Sequence, residues 1–249
     1  MQTMYKTDIL LGKWTQEALD RVLRNASEIK NISKRIDFLS GQFINLDYRE
    51  STLTGDVNIP EVFTIDLEGV DCFTFIDYIE AMRLSASFSE FTTNLKKVRY
   101  KSGRVSFKER NHFLTDWITF NPDFVEDVTC KISGKKFIRV TKTLNKKEDR
   151  TYFLPGIKPV ERETSYIPSD AIDNSVLSKL RTGDYIGIYS TLKGLDVSHA
   201  GIIIKHGKDI LLRHASSAAK NRKVVDEDFK KYIADKPGII VLRTKSHKP

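Results

Sequence analysis

The chain has 249 residues and a formal net charge of +8, with 40% hydrophobic and 30% charged residues. This composition is typical of a globular protein, and no apolar run approaches the roughly 18 residues that a membrane-spanning helix needs. We therefore expect no transmembrane segment.

The excess of positive charge favours an anionic partner. The basic residues are scattered and no nucleic-acid-binding motif accompanies them, so we expect attraction to an acidic polymer or an acidic membrane surface. The N-terminal residues lack the apolar segment of a signal peptide. Either the protein is cytoplasmic, or its targeting segment is missing from this sequence.

The first half of the chain is predicted to be mainly helical. Residues 14–39 carry apolar side chains at helical spacing and predict one or two helices, whereas glycines and a proline predict irregular structure over 40–70. Asp71 is a favourable N-cap residue, so the next helix is expected to begin at Cys72. Ser89 is expected to cap a further short helix, and residues 111–118 form another element.

The second half is predicted to consist mainly of strands, with one irregular stretch that contains three prolines. The predicted elements are, in order, strands at 127–133 and 135–143, a strand at 185–190, a hairpin at about 199–215, a short helix near 226–233 and a strand at 238–244.

The hairpin carries two of the five histidines, His199 and His214, on a mostly apolar face. If His206 and Gly207 form a two-residue loop, the two histidines lie directly opposite each other, with β-carbons roughly 4.5–5.5 Å apart. A loop one residue later makes them diagonal neighbours. Two adjacent imidazolium ions would repel, so at least one ring is expected to be neutral and able to act as a base or ligand. Alternatively, each histidine is half-buried and bonded to a backbone carbonyl.

Cys72, the expected first residue of its helix, is a candidate nucleophile. A helix N-terminus carries about half a positive charge, and a nearby imidazolium adds to it, so both favour a thiolate. A thiolate beside a histidine can attack an amide carbonyl. His199 would then transfer the proton, and His214 would orient the His199 ring. The alternative for Cys72 is a small buried thiol.

Cys130, the second cysteine, lies in the middle of a predicted strand and is expected to be inert. The two cysteines do not form a CxxC motif, which argues against a zinc cluster or a redox motif. A disulfide between Cys72 and Cys130 is the structural alternative.

Four motifs occur in order along the chain: DCFTFIDYIEAM, LRTGDYIGIY, SHAGIII and LLRHAS. Together, over residues 71–82 and 180–216, they resemble the NlpC/P60 superfamily of cell-wall cysteine peptidases and amidases. The resemblance implies an α+β fold with a papain-like core, in which the nucleophile helix packs on an antiparallel β-sheet. The long segment between helix and strands, with its NHFLTDW motif, resembles the N-acetylmuramoyl-L-alanine amidase-like branch.

The same resemblance implies a single catalytic domain over residues 1–249. Its predicted parts are N-terminal helices (1–45), the nucleophile helix (70–90), a large insertion (about 95–175) and the sheet that carries the histidines (176–245).

Carried over residue by residue, the family's catalytic roles fall on Cys72 as nucleophile, His199 as general base and His214 as orienting group. The backbone N–H of Cys72 is then a natural donor to the oxyanion. One position departs from the family, because Phe43 stands where a tyrosine usually touches the active site. Tyr48 or a residue of the insertion takes that role, or none does.

His112 and Asp116 are four residues apart, with Trp117 beside them, and would share a face if this element is helical. The resemblance suggests that these three residues line the cleft and bind a peptide amine and a sugar. The alternative is a local His–Asp hydrogen bond around a core tryptophan. A zinc site that uses His112 with His199 or His214 has no spacing signature to support it.

These residues favour a cysteine amidohydrolase that cleaves a peptidoglycan amide, in the stem peptide or at muramic acid, without a metal or organic cofactor. We expect a monomer that acts on peptidoglycan or its muropeptide fragments, and no nucleic-acid partner. The resemblance places it in the bacterial periplasm or cell envelope.

Two other functions stay open. A glycoside hydrolase needs two carboxylates across the scissile bond, and although Asp116, Glu161 and Glu163 are available, their spacing singles out no pair. A non-catalytic wall-binding module is the third possibility, and the complete set of one cysteine and two histidines argues against it.

Overall fold

Residues 5–245 are described by the structure, a computed structural model, so the first four and last four residues of the predicted domain lie outside the described range. The described chain forms two compact units. The first unit contains residues 5–111 and 214–225, and the second contains residues 112–213 and 226–245. The boundary after residue 111 falls inside the segment 95–175 that the sequence predicts as an insertion.

Eight α-helices are present in the described range. In chain order they are α1 (Gln16–Glu28), α2 (Ile32–Gly41), α3 (Cys72–Arg83), α4 (Phe88–Arg99), α5 (Leu114–Phe120), α6 (Thr129–Ser133), α7 (Asn174–Lys179) and α8 (Phe229–Ile233). None of these helices combines the length and the apolar character that a membrane span requires.

Twelve strands accompany the helices over the same described residues. They are β1 (Lys6–Leu10), β2 (Asp47–Tyr48), β3 (Val62–Asp66), β4 (Gly69–Val70), β5 (Val125–Asp127), β6 (Ile138–Leu144), β7 (Val160–Pro168), β8 (Tyr185–Tyr189), β9 (Val197–His206), β10 (Asp209–Ser216), β11 (Lys223–Asp228) and β12 (Gly238–Thr244).

The first unit is built around α3, which packs against α1, α2 and α4. A buried ion pair joins the elements, since Arg99 of α4 donates to Asp77 of α3 at 3.0 Å and to the carbonyl oxygen of Thr64 in β3 at 2.6 Å. Both charged side chains are only 1% exposed. Removing one partner of such a pair leaves a buried charge, at a cost of about 3–5 kcal/mol. The pair therefore fixes α3 against α4 and β3.

The second unit is an antiparallel sheet with the strand order β10–β9–β8–β12–β7–β6, and β5 pairs with β12 beside it. Strand β8 is buried along its whole length because both faces of the sheet are covered. On one face, α6, α7 and α8 contribute to an apolar cluster with residues such as Ile188 and Ile203. On the other face, a β-carbon at Gly187 would lie 2.3 Å from Leu114, so this glycine lets α5 approach the sheet.

Several predicted elements are confirmed, and others are wrong. Two N-terminal helices and a helix that begins at Cys72 are present. The segment 1–45 is not purely helical, because β1 precedes α1 and pairs in parallel with β3. Segment 40–70, predicted as irregular, contains three short strands, and β7 occupies part of the proline-containing stretch. Pairing with neighbouring strands stabilises these segments despite their turn-rich composition.

The strand predicted at 127–133 is also wrong. Strand β5 ends at Asp127, whose carboxylate accepts a hydrogen bond from the N–H of Thr129 at 2.8 Å and so turns the chain. Helix α6 follows, and Cys130 lies in this helix rather than in a strand. The N–H of Val241 donates to the hydroxyl of Thr129 at 2.9 Å, which holds the helix start against β12.

The N-cap residue of helix α4 lies two residues before the predicted one. The hydroxyl of Ser87 accepts a hydrogen bond from the N–H of Glu90 at 3.2 Å, whereas Ser89 lies within the first turn with an exposed side chain. Ser87 is therefore the N-cap residue.

We predict that Ser87→Ala lowers the free energy of unfolding by about 1 kcal/mol, because it removes this cap. Ser89→Ala is the matched control and should change the free energy by less than about 0.5 kcal/mol. Urea denaturation of both variants measures the difference. A loss at Ser89 as large as that at Ser87 would contradict the assignment.

Candidate active site

Cys72 occupies the first position of α3, as the sequence predicts. The carboxylate of Asp71 accepts hydrogen bonds from the N–H groups of Phe73 at 2.9 Å and Thr74 at 2.7 Å. In return, the hydroxyl of Thr74 accepts one from the N–H of Asp71 at 3.0 Å, which completes a capping box. The Cys72 side chain is partly exposed, whereas α3 is buried from Thr74 onward. The thiol thus lies at the accessible, positively polarised end of a buried helix.

Cys72 and Cys130 are both thiols, and no disulfide joins them. The structural alternative of a disulfide is therefore wrong.

Tyr48 lies beside the start of α3 in the first unit. Strand β2 pairs in parallel with β4, and this register places Tyr48 next to Val70, two residues before Cys72. Burial raises the pKa of the Tyr48 phenol, and the negative charges of Cys72, Glu50 and Asp71 raise it further. Consequently the phenol stays protonated at neutral pH and can donate a hydrogen bond.

Phe43 has a different environment from Tyr48. Its ring is 3% exposed and packs between Phe75, with ring centroids 5.7 Å apart, and Tyr78, at 6.5 Å. It is a core residue of the first unit, so any contact with substrate at this position stays a prediction.

His199 and His214 belong to different units. His199, in the second unit, pairs with Ile188 across β8 and β9 and is partly exposed, and its ring centroid lies 6.1 Å from that of Tyr232. His214, in the first unit, is 2% exposed. A buried imidazole is expected to have a fixed orientation because its neighbours restrict it.

The hairpin loop is the later of the two predicted positions. Gly207 and Lys208 form the loop, and the register pairs Asp209 with His206 and Arg213 with Ile202. Gly207 has a φ of +60°, the left-handed value that a type II′ turn requires at its first loop position. The register that would place His199 directly opposite His214 is therefore not formed.

His112, Asp116 and Trp117 lie in the second unit. Helix α5 begins at Leu114, so His112 precedes the helix and the condition for a shared helical face with Asp116 is not met. The carboxylate of Asp116 accepts a hydrogen bond from Arg162 at 2.8 Å. The Trp117 ring is fully buried and lies edge-to-face on Tyr185, at a centroid distance of 5.2 Å. Trp117 is therefore a core residue of the second unit. The substrate contacts of His112, Asp116 and Trp117 stay predictions.

Asp196 is a buried carboxylate near the candidate site that the sequence does not reveal. It is 2% exposed, and its carboxylate accepts hydrogen bonds from the N–H groups of Thr115 at 2.7 Å and Val197 at 2.8 Å. Burial raises the pKa of Asp196, and these hydrogen bonds act in the opposite direction. One carboxylate therefore ties the start of α5 to the start of β9, three residues before His199. Its partner Thr115 is 81 residues away, so no local sequence signal could have revealed the pair.

Among residues 5–245, no group of three or more histidine, cysteine, aspartate or glutamate side chains is arranged to hold a metal ion.

Residues 38–239 match the family described as AmiA-like, N-acetylmuramoyl-L-alanine amidase-like. No curated protein matches the chain. An N-acetylmuramoyl-L-alanine amidase from Bacteroides uniformis is 28% identical, with 86% of this chain and 99% of that chain covered and a TM-score of 0.72.

Two further solved structures are similar. A Legionella pneumophila protein shares 22% identity over 94% of this chain and 95% of that chain, with a TM-score of 0.79, and so shows the fold alone. A Bacteroides fragilis protein whose description suggests a xylanase shares 28% identity over 82% of this chain and 98% of that chain, with a TM-score of 0.68.

We predict that Cys72→Ala lowers the pKa of Tyr48, because it removes a negative charge that raises this pKa. The pKa should stay above the ordinary value of about 10, since burial of the phenol is unchanged. A pH titration followed by NMR of ¹³Cζ-labelled tyrosine measures the shift, with Tyr48→Phe to assign the signal. Tyr78, whose pKa is also raised by burial, is the internal control and should not move. An unchanged Tyr48 titration would show that the thiol does not act on the phenol.

Proposed function

The chain belongs to the AmiA-like, N-acetylmuramoyl-L-alanine amidase-like family, and we propose that it is a cysteine amidohydrolase of peptidoglycan with a papain-like NlpC/P60 core. Its substrate bond is the muramoyl-L-alanine amide or an amide of the stem peptide. The observation that carries the proposal is the partly exposed thiol of Cys72 at the capped start of a buried helix. Peptidoglycan and its muropeptide fragments are the proposed partners, and the cell envelope is the proposed location.

The proposed reaction has two steps. The Cys72 thiolate attacks the amide carbonyl carbon, and the tetrahedral intermediate expels the amine, which takes a proton from His199, to leave a thioester. A water molecule then gives a proton to His199 and attacks the thioester, which releases the carboxylic acid and restores the cysteine. His214, whose imidazole is buried, orients the His199 ring in this scheme.

The oxyanion of the tetrahedral intermediate needs hydrogen-bond donors. The Asp71 carboxylate occupies the N–H groups of Phe73 and Thr74, and we assign the N–H of Cys72 to the oxyanion. Tyr48 is assigned the place of the family tyrosine, because its phenol lies beside the helix start and stays protonated.

A glycoside hydrolase is the second candidate, favoured by the description of the Bacteroides fragilis structure. The available carboxylates support it poorly. Asp116 is bonded to Arg162, and Glu163 forms an exposed ion pair with Arg139 at 3.6 Å. Glu161 and Glu163 lie exposed on β7, two residues apart, so their side chains project from the same face of a strand rather than across a cleft.

We predict that Cys72→Ala reduces the release of peptides from purified sacculi by at least about 10³-fold, as expected for loss of a covalent nucleophile. Cys130→Ala is the matched control and should retain activity, because Cys130 lies in α6 and has no role in the proposed reaction. Mass spectrometry of the muropeptide digest identifies the broken bond from the new terminus of each product.

Other digest products would support the other candidate functions. New reducing ends in the digest that persist after Cys72→Ala and after thiol alkylation would support the glycoside hydrolase. Binding to sacculi with no product of either kind would support a non-catalytic wall-binding module.

A further inference from the structure

An open cavity of about 500 Å³ lies within the second unit. It is bounded by the end of β6, the following segment 146–150, Tyr189 at the end of β8 and the segment 191–194. Its size falls in the usual range for ligand pockets, which is about 300–1,000 Å³. The cavity is therefore large enough to hold a short peptide.

The cavity is strongly basic. Its lining contains one carboxylate, that of Glu148, and five cationic side chains: Lys142, Lys146, Lys147, Arg150 and Lys193.

Some of this positive charge is already engaged within the protein. The ammonium group of Lys142 donates to the carbonyl oxygens of Ser190, Leu192 and Leu195, and Lys193 pairs with Glu148 at 2.6 Å. Over residues 5–245, in contrast, neither Lys146 nor Arg150 forms an ion pair, and both are exposed. The ammonium group of Lys147 lies over the ring of Phe153, 5.0 Å from its centroid. Lys146 and Arg150 are thus the two cations available to an anionic ligand.

The backbone around the cavity is held in place by a buried asparagine. Asn145 is 0% exposed and donates side-chain hydrogen bonds to the carbonyl oxygens of Leu154 at 2.9 Å and Ile157 at 2.8 Å. Its backbone N–H donates to the carbonyl oxygen of Gly194 at 2.8 Å. At Gly194, where φ is +85°, a β-carbon would lie 2.6 Å from the carbonyl oxygen of Lys146. The two segments that carry the cations therefore approach each other in a defined arrangement.

The cavity in the second unit does not include His199. His199 pairs with Ile188, which belongs to the apolar cluster beneath α6, α7 and α8. Tyr189 is the next residue along β8 and pairs with Val197, whose side chain lies against Gly187 on the α5 side. The register shifts between Ile188 and Tyr189, and the cavity lining contains Tyr189 but neither His199 nor its neighbour Tyr232, so the cavity is a separate site from the one that contains His199.

We propose that this cavity binds carboxylate groups of the peptidoglycan stem peptide, as a second substrate site that rests on the proposed function. The guanidinium of Arg150 matches a carboxylate in two parallel hydrogen bonds, and Lys146 supplies a second charge. Peptidoglycan repeats its carboxylates along a polymer, so a site that holds one repeat raises the local concentration of the next. The chemistry of the cavity selects acidic stem peptides over amidated ones.

Isothermal titration calorimetry with a soluble stem peptide tests the proposal. The double variant Lys146→Gln/Arg150→Gln should bind the peptide about tenfold more weakly, as expected for loss of charge-assisted hydrogen bonds. Lys135→Gln removes an exposed lysine outside the cavity and is the control, expected to change affinity less than twofold. The same peptide with its carboxylates converted to amides should bind the wild-type protein as weakly as the acidic peptide binds the double variant.

Sacculus hydrolysis provides a second measurement. The double variant should raise KM and leave kcat unchanged, because it removes binding and no reacting group. Equal affinity for acidic and amidated peptides, or unchanged affinity and KM in the double variant, would overturn the proposal. Inorganic phosphate that binds more tightly than the acidic peptide would overturn the carboxylate assignment.

The outcomes separate this proposal from the proposed function. If sacculi are not hydrolysed but peptide binding depends on Lys146 and Arg150, the catalytic proposal fails and the binding site stands. If hydrolysis depends on Cys72 while the double variant binds and turns over substrate normally, the binding site fails and the catalytic proposal stands.

Discussion

The carboxylate of Asp71 sets the position of the candidate nucleophile. It bonds the N–H groups of Phe73 and Thr74, and the buried ion pair of Arg99 and Asp77 holds the same helix against its neighbours. The cap and the ion pair act on different parts of α3. The first fixes where the helix begins, and the second fixes where the helix lies within the first unit. A thiol at such a helix start can be accessible while the rest of the helix is buried.

The second unit relies on close backbone packing around β8. Gly187 admits Leu114 on one face, while Ile188 joins the apolar cluster on the other. Asp196 then couples α5 to the beginning of β9 through two backbone N–H groups. The strand that carries His199 is therefore paired with a strand packed on both faces, and a buried carboxylate lies close to its start. None of these constraints involves Cys72, His199 or His214, the residues of the proposed reaction.

Local signals account for what the sequence predicts well. The N-cap at Asp71 depends on residues within one helical turn, and the strands β8, β9 and β12 follow from apolar runs between turn residues. Predictions fail where a partner distant in the sequence determines the local secondary structure. Thr129 starts a helix in a segment with strand-like composition because Val241 bonds its hydroxyl, and β1 forms because β3 pairs with it. The sequence leaves two hairpin loops open, and the later one forms, with Gly207 in the left-handed position. For the candidate site, the sequence proposes which residues carry the chemistry, but it does not show that Tyr48 lies beside the helix start or that Trp117 is packed in a core.

The environment of Tyr48 affects how the pH dependence of the enzyme is interpreted. A phenol whose pKa is raised by burial and by neighbouring negative charges loses its proton only in strongly alkaline solution. An activity profile that declines in mildly alkaline solution would then report a group other than Tyr48. The hydrogen-bond donor at this position is consequently constant over the pH range in which the proposed cysteine–histidine pair would exchange a proton, so such an exchange could be observed without interference from the tyrosine.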